Sequence, residues 1–313
     1  LAALAGAMRE RVMALIPGNA ERRRYYEALV TAPQVESALE RGQGEAAAEA
    51  LLEAHANLAT EAGIVWLIGA GPGAEDLLTL RAQRLLQEAD VIVHDQLVPD
   101  AVVEMGRRDA ERISVGKRAG HHSFTQAQIN VLLVRLAGEG KRVARLEGGD
   151  PTVFGRAGEE IAALRKAGVA YRIVPGVSAA LAAAADTATP VTLRKVSPGF
   201  VFATAHGATD EELRHWTSLS TSGLTLALYM GKQIAASTAI KLIVQGMPAA
   251  MPIGIVVNAG RADRRFYRGT LGQLADGVHE FIDGPAVIFV GEAVVHGDWQ
   301  DAAAVAAENF KVA

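Results

Sequence analysis

Four short stretches of this chain carry either small residues with proline or groups able to do chemistry, and two carry both: Gly-Ala-Gly-Pro-Gly at 69–73, His94-Asp95, Gly148-Gly149-Asp150-Pro151 and Pro175-Gly176-Val177-Ser178. Glycine lets backbone approach a ligand with no Cβ in the way, and proline fixes the exit of the loop. A carboxylate beside two glycines, as in Asp150, suits a ribose hydroxyl or an ammonium group; an aspartate-capped turn is the simpler alternative. Asp95 and Lys117 are the candidate acid–base groups, because an acid on a strand-end loop can accept a proton. Taken singly, a helix N-cap or turn aspartate and a solvated surface lysine explain them better.

The first loop with Ala74 fits a dinucleotide fingerprint, and Asp95 is placed to serve as its ribose-binding acid. Against this, Glu75 and Asp76 follow at once and would repel a pyrophosphate where bare backbone donors are needed. A cationic sulfonium cofactor escapes that repulsion. For a lone glycine loop, a tight turn without ligand is the simpler reading. Arg118, Arg145, Arg156 and Arg194 flank the loops and match an acidic substrate, although each alone reads as a surface or structural arginine. His121 and His122 are adjacent, the other histidines show no ligand spacing, and no metal site is expected.

The elements that position these loops follow from periodicity. Short apolar runs at 64–68, 91–93, 112–115, 142–146 and 171–174 alternate with helical patterns at 76–89, 125–138 (Thr125 as N-cap) and 158–167. That alternation implies a largely parallel sheet covered on both faces. Ligands of open α/β sheets bind beyond the carboxyl ends of the strands, so four such loops must converge on one edge. That convergence is the functional signal. After a linker at 189–199, strands are expected at 200–203, 224–230, 253–257, 265–269 and 286–290. An antiparallel turn at 260–263 makes the second sheet mixed. Residues 1–60 read as helices: Met8, Val12, Leu15 and Ile16 share a face, Pro17-Gly18-Asn19 and Gly42-Gln43-Gly44 are breaks, and Ala32-Pro33 is a start. With little core of their own, these helices suggest a docking or dimerisation element, and Arg22-Arg23-Arg24 a solvated face.

Composition excludes several classes. A chain of 313 residues exceeds one ordinary domain. With 50% hydrophobic and 21% charged residues it can bury sizeable cores and is not disordered. It has no cysteine, which removes disulfides, thiolate zinc sites and cysteine nucleophiles and fits a reducing compartment. A net charge of −4 without a dense basic run argues against a nucleic-acid partner. No apolar stretch reaches the roughly 18 residues of a membrane span. The apolar start at 1–7 lacks a basic region and is not read as a signal peptide. A first residue of leucine leads to the expectation of a fragment or processed chain with more sequence upstream.

Together the loops carry a resemblance. Residues 65–73, then Asp76-Leu77-Leu78-Thr79-Leu80 and Val93-His94-Asp95-Gln96-Leu97-Val98, resemble the start of the tetrapyrrole (class III) methyltransferases. Val115-Gly116-Lys117-Arg118-Ala119-Gly120, Gly148-Gly149-Asp150-Pro151 and Phe154-Gly155-Arg156 are narrower and resemble the uroporphyrinogen-III C-methyltransferases. Val174-Pro175-Gly176-Val177-Ser178-Ala179 and Leu228-Tyr229-Met230-Gly231 add to the likeness, which covers about 63–295 in order. Residues 1–60 resemble, more loosely, the helical dimerisation segment of bifunctional siroheme synthases, through Ala20-Glu21-Arg22-Arg23-Arg24-Tyr25-Tyr26. In that family an NAD-dependent dehydrogenase/chelatase domain comes first, and neither activity is expected of this chain.

The resemblance implies two α/β domains with a trough between them, preceded by the helical segment, in a homodimer: 1–60, 61–195 and 196–313. It implies S-adenosyl-L-methionine folded in the trough at Pro72, Gly148, Gly149, Asp150, Val153, Ser178, Ala179, Met230 and Ala259. Asp95 matches the family's base and Lys117 its proton donor. The implied reaction is C-methylation of uroporphyrinogen III to precorrin-2, toward siroheme and cobalamin, in the cytoplasm. Several positions depart from the family: His94 for tyrosine, Glu147 for lysine, Ala157 for glycine, Leu193 for histidine between Thr192 and Arg194, and Ala259 for glycine. Glu147 and Leu193 bear on how substrate carboxylates are held. Rival readings are another acceptor on the same fold (a later cobalamin precursor, or RNA), a dinucleotide-dependent oxidoreductase, and a non-catalytic dimerising fragment.

Overall fold

The computed structural model describes residues 1–16, 18–57, 63–116, 124–276 and 281–305. β1 (Ile64–Gly69) shows why the first sheet forms. Its residues are apolar without a break, and successive side chains point to opposite faces. Trp66 and Ile68 enter a core with Leu86, Ile92, Val102 and Leu146, while Val65 and Leu67 enter another with Ile129, Leu133, Leu136 and Leu164. A strand buried on both faces belongs inside a parallel sheet with helices above and below.

The remaining strands of that sheet are β2 (Val91–His94), β3 (Glu111–Ser114), β4 (Arg142–Glu147) and β5 (Ala170–Val174). They run in the order β3-β2-β4-β1-β5, every neighbour parallel. One face carries α6 (Leu80–Glu88) and α7 (Asp100–Glu104). The other carries α8 (Gln126–Gly138) and α9 (Ala157–Lys166). Thr125 caps α8 as expected, in a reciprocal box with Gln128. The single helix expected over 76–89 is corrected: a 3-10 turn at Glu75–Leu77 is followed by extended Leu78 and Thr79. The Thr79 hydroxyl then accepts from the Ala82 amide (3.2 Å) and starts α6 afresh.

The second sheet is mixed, as expected. It comprises β6 (Phe200–Thr204), β7 (Thr225–Tyr229), β8 (Pro252–Val257), β9 (Arg265–Thr270), β10 (Ala286–Val290) and the short β11 (Ala303–Ala304). The order is β11-β9-β8-β10-β7-β6, with β8 antiparallel to β9 across the turn read at 260–263. α11 (Asp210–Thr221), α12 (Ala235–Val244) and α13 (Leu271–Asp276) cover one face. The other face takes α10 (Ala179–Asp186), whose Ala180, Ala182, Ala183 and Ala184 pack on Ala227, Val256, Val287 and Phe289. α10 follows β5 of the first sheet directly and ties the two sheets together. Its alanines permit the close approach.

Residues 2–57 form α1 (Ala2–Ala7), α2 (Arg9–Leu15), α3 (Asn19–Thr31), α4 (Pro33–Glu40) and α5 (Gly44–Asn57). Two expectations need correction here. The segment has a core of its own, in which Tyr25, Leu29, Val35 and Leu52 are fully enclosed with Met8, Val12 and Ile16; Leu15, by contrast, is 52% exposed. And Arg22-Arg23-Arg24 is not a solvated face. Arg22 Nε donates to the Ile16 carbonyl (2.5 Å), Arg23 Nη2 pairs with Asp90 (2.7 Å), and Arg24 donates to the Gly140 carbonyl.

Candidate active site

Because β1, β2, β4 and β5 are parallel, their carboxyl ends share one edge, and the four loops meet there. The loops interlock through glycines. Gly71 and Gly149 exchange backbone hydrogen bonds (3.1 and 2.7 Å), both at φ +72°. A Cβ on Gly69 would lie 2.5 Å from the Gly176 nitrogen and 2.6 Å from the Gly149 oxygen. Asp150 closes the knot, accepting from the amides of Gly176 (3.0 Å) and Thr152 (2.8 Å).

Asp95 is anchored as firmly. Its Oδ1 accepts from the amides of Leu97 (2.6 Å) and Val98 (3.1 Å), and its Oδ2 from that of Gly148 (3.2 Å). The second sheet supplies the opposite wall. Tyr229, at the end of β7, places its hydroxyl 2.6 Å from Ser178 Oγ and accepts from the Ala180 amide (3.0 Å); burial pushes its phenol upward from the ordinary value. Met230 (φ +54°) and Phe154 (φ +56°) hold left-handed backbone at the rim, a conformation that costs energy for residues with side chains. Arg261, in the β8–β9 turn, reaches across to the first half and donates to the carbonyls of Pro72 (3.1 Å) and Leu97 (2.9 Å).

The result is a cavity of about 510 Å³ between the two sheets, within the usual size of small-molecule sites. Pro72, Gly148, Gly149, Asp150, Val153, Ser178, Ala179, Met230 and Ala259 all line it, and so does Asp95. Lys117, Arg118, His121 and His122 lie outside the described residues. The flanking arginines need correction. Arg145 is 3% exposed and paired with Glu147 (2.5 Å) and Glu160 (3.0 Å), so it faces no substrate. Arg156 is engaged by Glu159 (2.7 Å). Neither Arg156 nor Arg194 lines the cavity. Sequence reasoning missed Arg261, Lys232 and His206, which do line it. Arg261 sits in a stretch read only as a hairpin turn, and Lys232 directly follows the quoted 228–231 motif. His206 follows β6 with no signal around it.

Glu147, at the end of β4, is strongly perturbed. Burial, followed by repulsion from Asp95 and Glu160, pushes its carboxyl up to about 8 against the pull of Arg145.

Two sheets joined at a trough, with glycine knots on the parallel edge, define a class that sequence comparison names. Residues 64–275 match the Tetrapyrrole (Corrin/Porphyrin) Methylases, and residues 1–55 match the Sirohaem synthase dimerisation region. The chain belongs to the tetrapyrrole methylase family. It is 44% identical over 298 residues to the siroheme synthase of Pseudomonas putida, covering 94% of this chain and 64% of that protein. With the siroheme synthase of Azotobacter vinelandii it shares 44% over 297 residues, again 94% and 64%. The chain thus spans just under two thirds of the length of these curated relatives. Among solved structures, uroporphyrin-III C-methyltransferase from Thermus thermophilus, complexed with S-adenosyl homocysteine, is 36% identical with a TM-score of 0.65. The match covers 75% of this chain and all of that one.

Proposed function

We propose that this chain methylates carbon atoms of uroporphyrinogen III with S-adenosyl-L-methionine, yielding precorrin-2 on the route to siroheme and cobalamin. The observation that supports it most is the single cavity in which Asp95 and all nine expected cofactor positions meet. The residues fit that cofactor. Bare backbone at Gly148 and Gly149 leaves room for an adenosine, and the carboxylates of Asp95 and Asp150 suit a sulfonium and a ribose. Tyr229 and Phe154, with ring centroids 5.0 Å apart, add aromatic surface for a cation.

Bound there, the cofactor supplies an electrophilic methyl group. The protein's share is alignment, worth roughly 7–11 kcal/mol in favourable cases. The glycine knots and the Arg261 bridge hold the two walls at fixed separation. Arg261, Lys232 and His206 offer positive or polar contacts to an acidic tetrapyrrole. Asp95 accepts the proton that the substrate carbon framework releases as conjugation is restored; Lys117 serves as proton donor. The chain works as a homodimer through residues 1–55, in the cytoplasm. Among the described residues, no helix is long and apolar enough to cross a membrane.

Calorimetric titration with S-adenosylhomocysteine tests the cofactor, and turnover of uroporphyrinogen III tests the acceptor. One micromolar site per chain is expected. A chain with no affinity would overturn the reading.

A further inference from the structure

The turn between β8 and β9 is braced before it reaches the opposite wall. Asn258, 4% exposed and left-handed (φ +56°), accepts the Arg261 amide on its carbonyl (3.0 Å). Its Nδ2 donates to Asp263 (2.8 Å) and to the Asp283 carbonyl (3.1 Å). Asp186, at the end of α10, accepts the Gly260 amide (2.6 Å) and pairs with Arg264 (3.3 Å). Gly260 in turn packs on the first half: a Cβ there would lie 2.7 Å from Pro72 Cγ and 3.1 Å from Leu77 Cδ1. The backbone of Arg261 is thereby set at a defined place.

From that base its side chain crosses the trough. Nε donates to the Pro72 carbonyl (3.1 Å) and Nη2 to the Leu97 carbonyl (2.9 Å). The chain of Arg261 lies over Gly73, where a Cβ would collide with its Nε and lie 2.7 Å from its Cγ. The two carbonyls belong to the two loops whose spacing the chemistry needs. Pro72 lines the cavity at an expected cofactor position. Leu97 belongs to the loop of Asp95, and its amide donates to Asp95 Oδ1 (2.6 Å). Leu97 is therefore held from both sides, its N–H by the base and its C=O by Arg261. A planar guanidinium holds two acceptors at fixed spacing, which the single point of an ammonium cannot do.

We propose that Arg261 is a positioning residue for the methyl transfer: by clasping the carbonyls of Pro72 and Leu97 together it sets where Asp95 stands relative to the cofactor, and Gly73 is glycine so that the clasp can close. The inference rests on the methyltransferase reading above. In this role Arg261 makes and breaks no bond to substrate. It acts through the backbone that carries Asp95, and a shift of that backbone by about 1 Å is enough to cost two orders of magnitude in rate.

Two measurements test this separately. Amide hydrogen exchange in the free protein reads the clasp itself. Leu97 and Val98, whose amides hold Asp95, should exchange faster in Arg261→Ala and in Arg261→Lys, with β1 and β8 as protected as in wild type. Unchanged exchange at these two amides would overturn the clasp whether or not the chain is a methyltransferase. Kinetics then read the role. Arg261→Ala should lose ~10–100-fold in kcat with KM for the cofactor changed by less than about threefold, the mark of misplaced chemistry rather than lost binding. Arg261→Lys keeps the charge and loses the fork, so its kcat should stay near that of Arg261→Ala. Wild-type kcat in Arg261→Lys, or a raised KM for the tetrapyrrole with kcat intact in Arg261→Ala, would make Arg261 a charge contact alone and overturn the positioning role. Gly73→Ala should lower kcat more in the wild-type background than in Arg261→Ala, because there the side chain it displaces is already gone; equal losses in the two backgrounds would refute the pairing of Gly73 with Arg261. A wild-type chain that binds no S-adenosylhomocysteine overturns the underlying reading and the catalytic role with it, while the exchange result stands by itself.

Discussion

At the scale of single residues, the site depends on how two carboxyl groups are held. Asp95 is fixed by three backbone amides, so Asp95→Asn should fold and bind S-adenosylhomocysteine while kcat falls ~10²–10⁴-fold, the usual share of a general base. Full turnover in that variant would mean alignment alone suffices. Glu147 leaves a mark on stability as well. Below its ordinary value of 4.5 it is protonated in both the folded and unfolded chain. Between there and about pH 8 the unfolded chain gives up the proton and the folded one keeps it, so the folded state loses ground as pH rises through that window. The loss is on the order of a few kcal/mol and ends once the folded Glu147 ionises. The Tm of wild type should therefore drop from pH 5 to pH 8 by more than that of Glu147→Gln. Parallel Tm curves would place the raised carboxyl elsewhere. None of this was legible in the sequence. Glu147 showed as an unusual residue before two glycines, but its neighbours Asp95 and Glu160 are brought to it only by the sheet and α9.

At the scale of elements, the glycines of the four loops are structural necessities rather than flexible tips. A Cβ on Gly176 would meet the Gly149 oxygen head-on and lie 2.8 Å from Gly69 Cα, and all of these are backbone atoms with nowhere to move. Gly176→Ala should lower stability by ~1–3 kcal/mol, as overpacking does, and weaken S-adenosylhomocysteine binding because the knot must open. Gly158→Ala in α9 is the contrast: nothing lies within 4 Å of its Cβ position, and the change should stabilise the helix by ~0.5–1 kcal/mol. Thermal unfolding of the pair separates a packing role from general helix or loop effects; equal Tm shifts would deny the knot. These loops were legible because short strands such as 64–69, apolar on both faces, announce their own ends in glycine. Two elements were not. α10 is nearly all alanine and shows no face until Val256 and Phe289 supply one. The break before α6 hides in Leu78-Thr79, two residues that a helix would also accept.

At the scale of the whole molecule, what holds the parts together lay beyond reach of local pattern. Arg23 pairs with Asp90, 67 residues away, and a run of three arginines in a helix reads as solvated until that partner is in view. Asp90 precedes β2, on the edge of the first sheet opposite the site, and is 8% exposed. Its Oδ1 meets Arg23 Nη2 at 2.7 Å and Arg107 Nη2 at 3.5 Å; its Oδ2 accepts the Arg142 amide at 2.9 Å and lies 3.7 Å from Arg24 Nη2. A single carboxylate thus binds arginines from the helical segment and from the methylase part at once, beside the Arg23 bond to the Glu88 carbonyl, the Arg24 bond to the Gly140 carbonyl and the Glu27–Arg142 pair. Removing one partner of an enclosed ion pair costs ~3–5 kcal/mol because the other charges are left uncompensated. In Asp90→Ala, Glu27 (3.3 Å from Arg23 and 3.5 Å from Arg142) and Asp109 (2.8 Å from Arg107) remain as partly exposed partners, but the arginines lose their one enclosed counter-ion, and the weaker body should yield. The helical segment, with its small core around Tyr25 and Leu29, can loosen from the sheet while both sheets stay intact. Hydrogen exchange followed by mass spectrometry should then show faster exchange across α1–α5 with protection of β1 and β8 retained, and S-adenosylhomocysteine affinity unchanged. Exchange that rises equally in helices and sheets would mean that Asp90 supports the first sheet itself rather than the docking of the helices upon it.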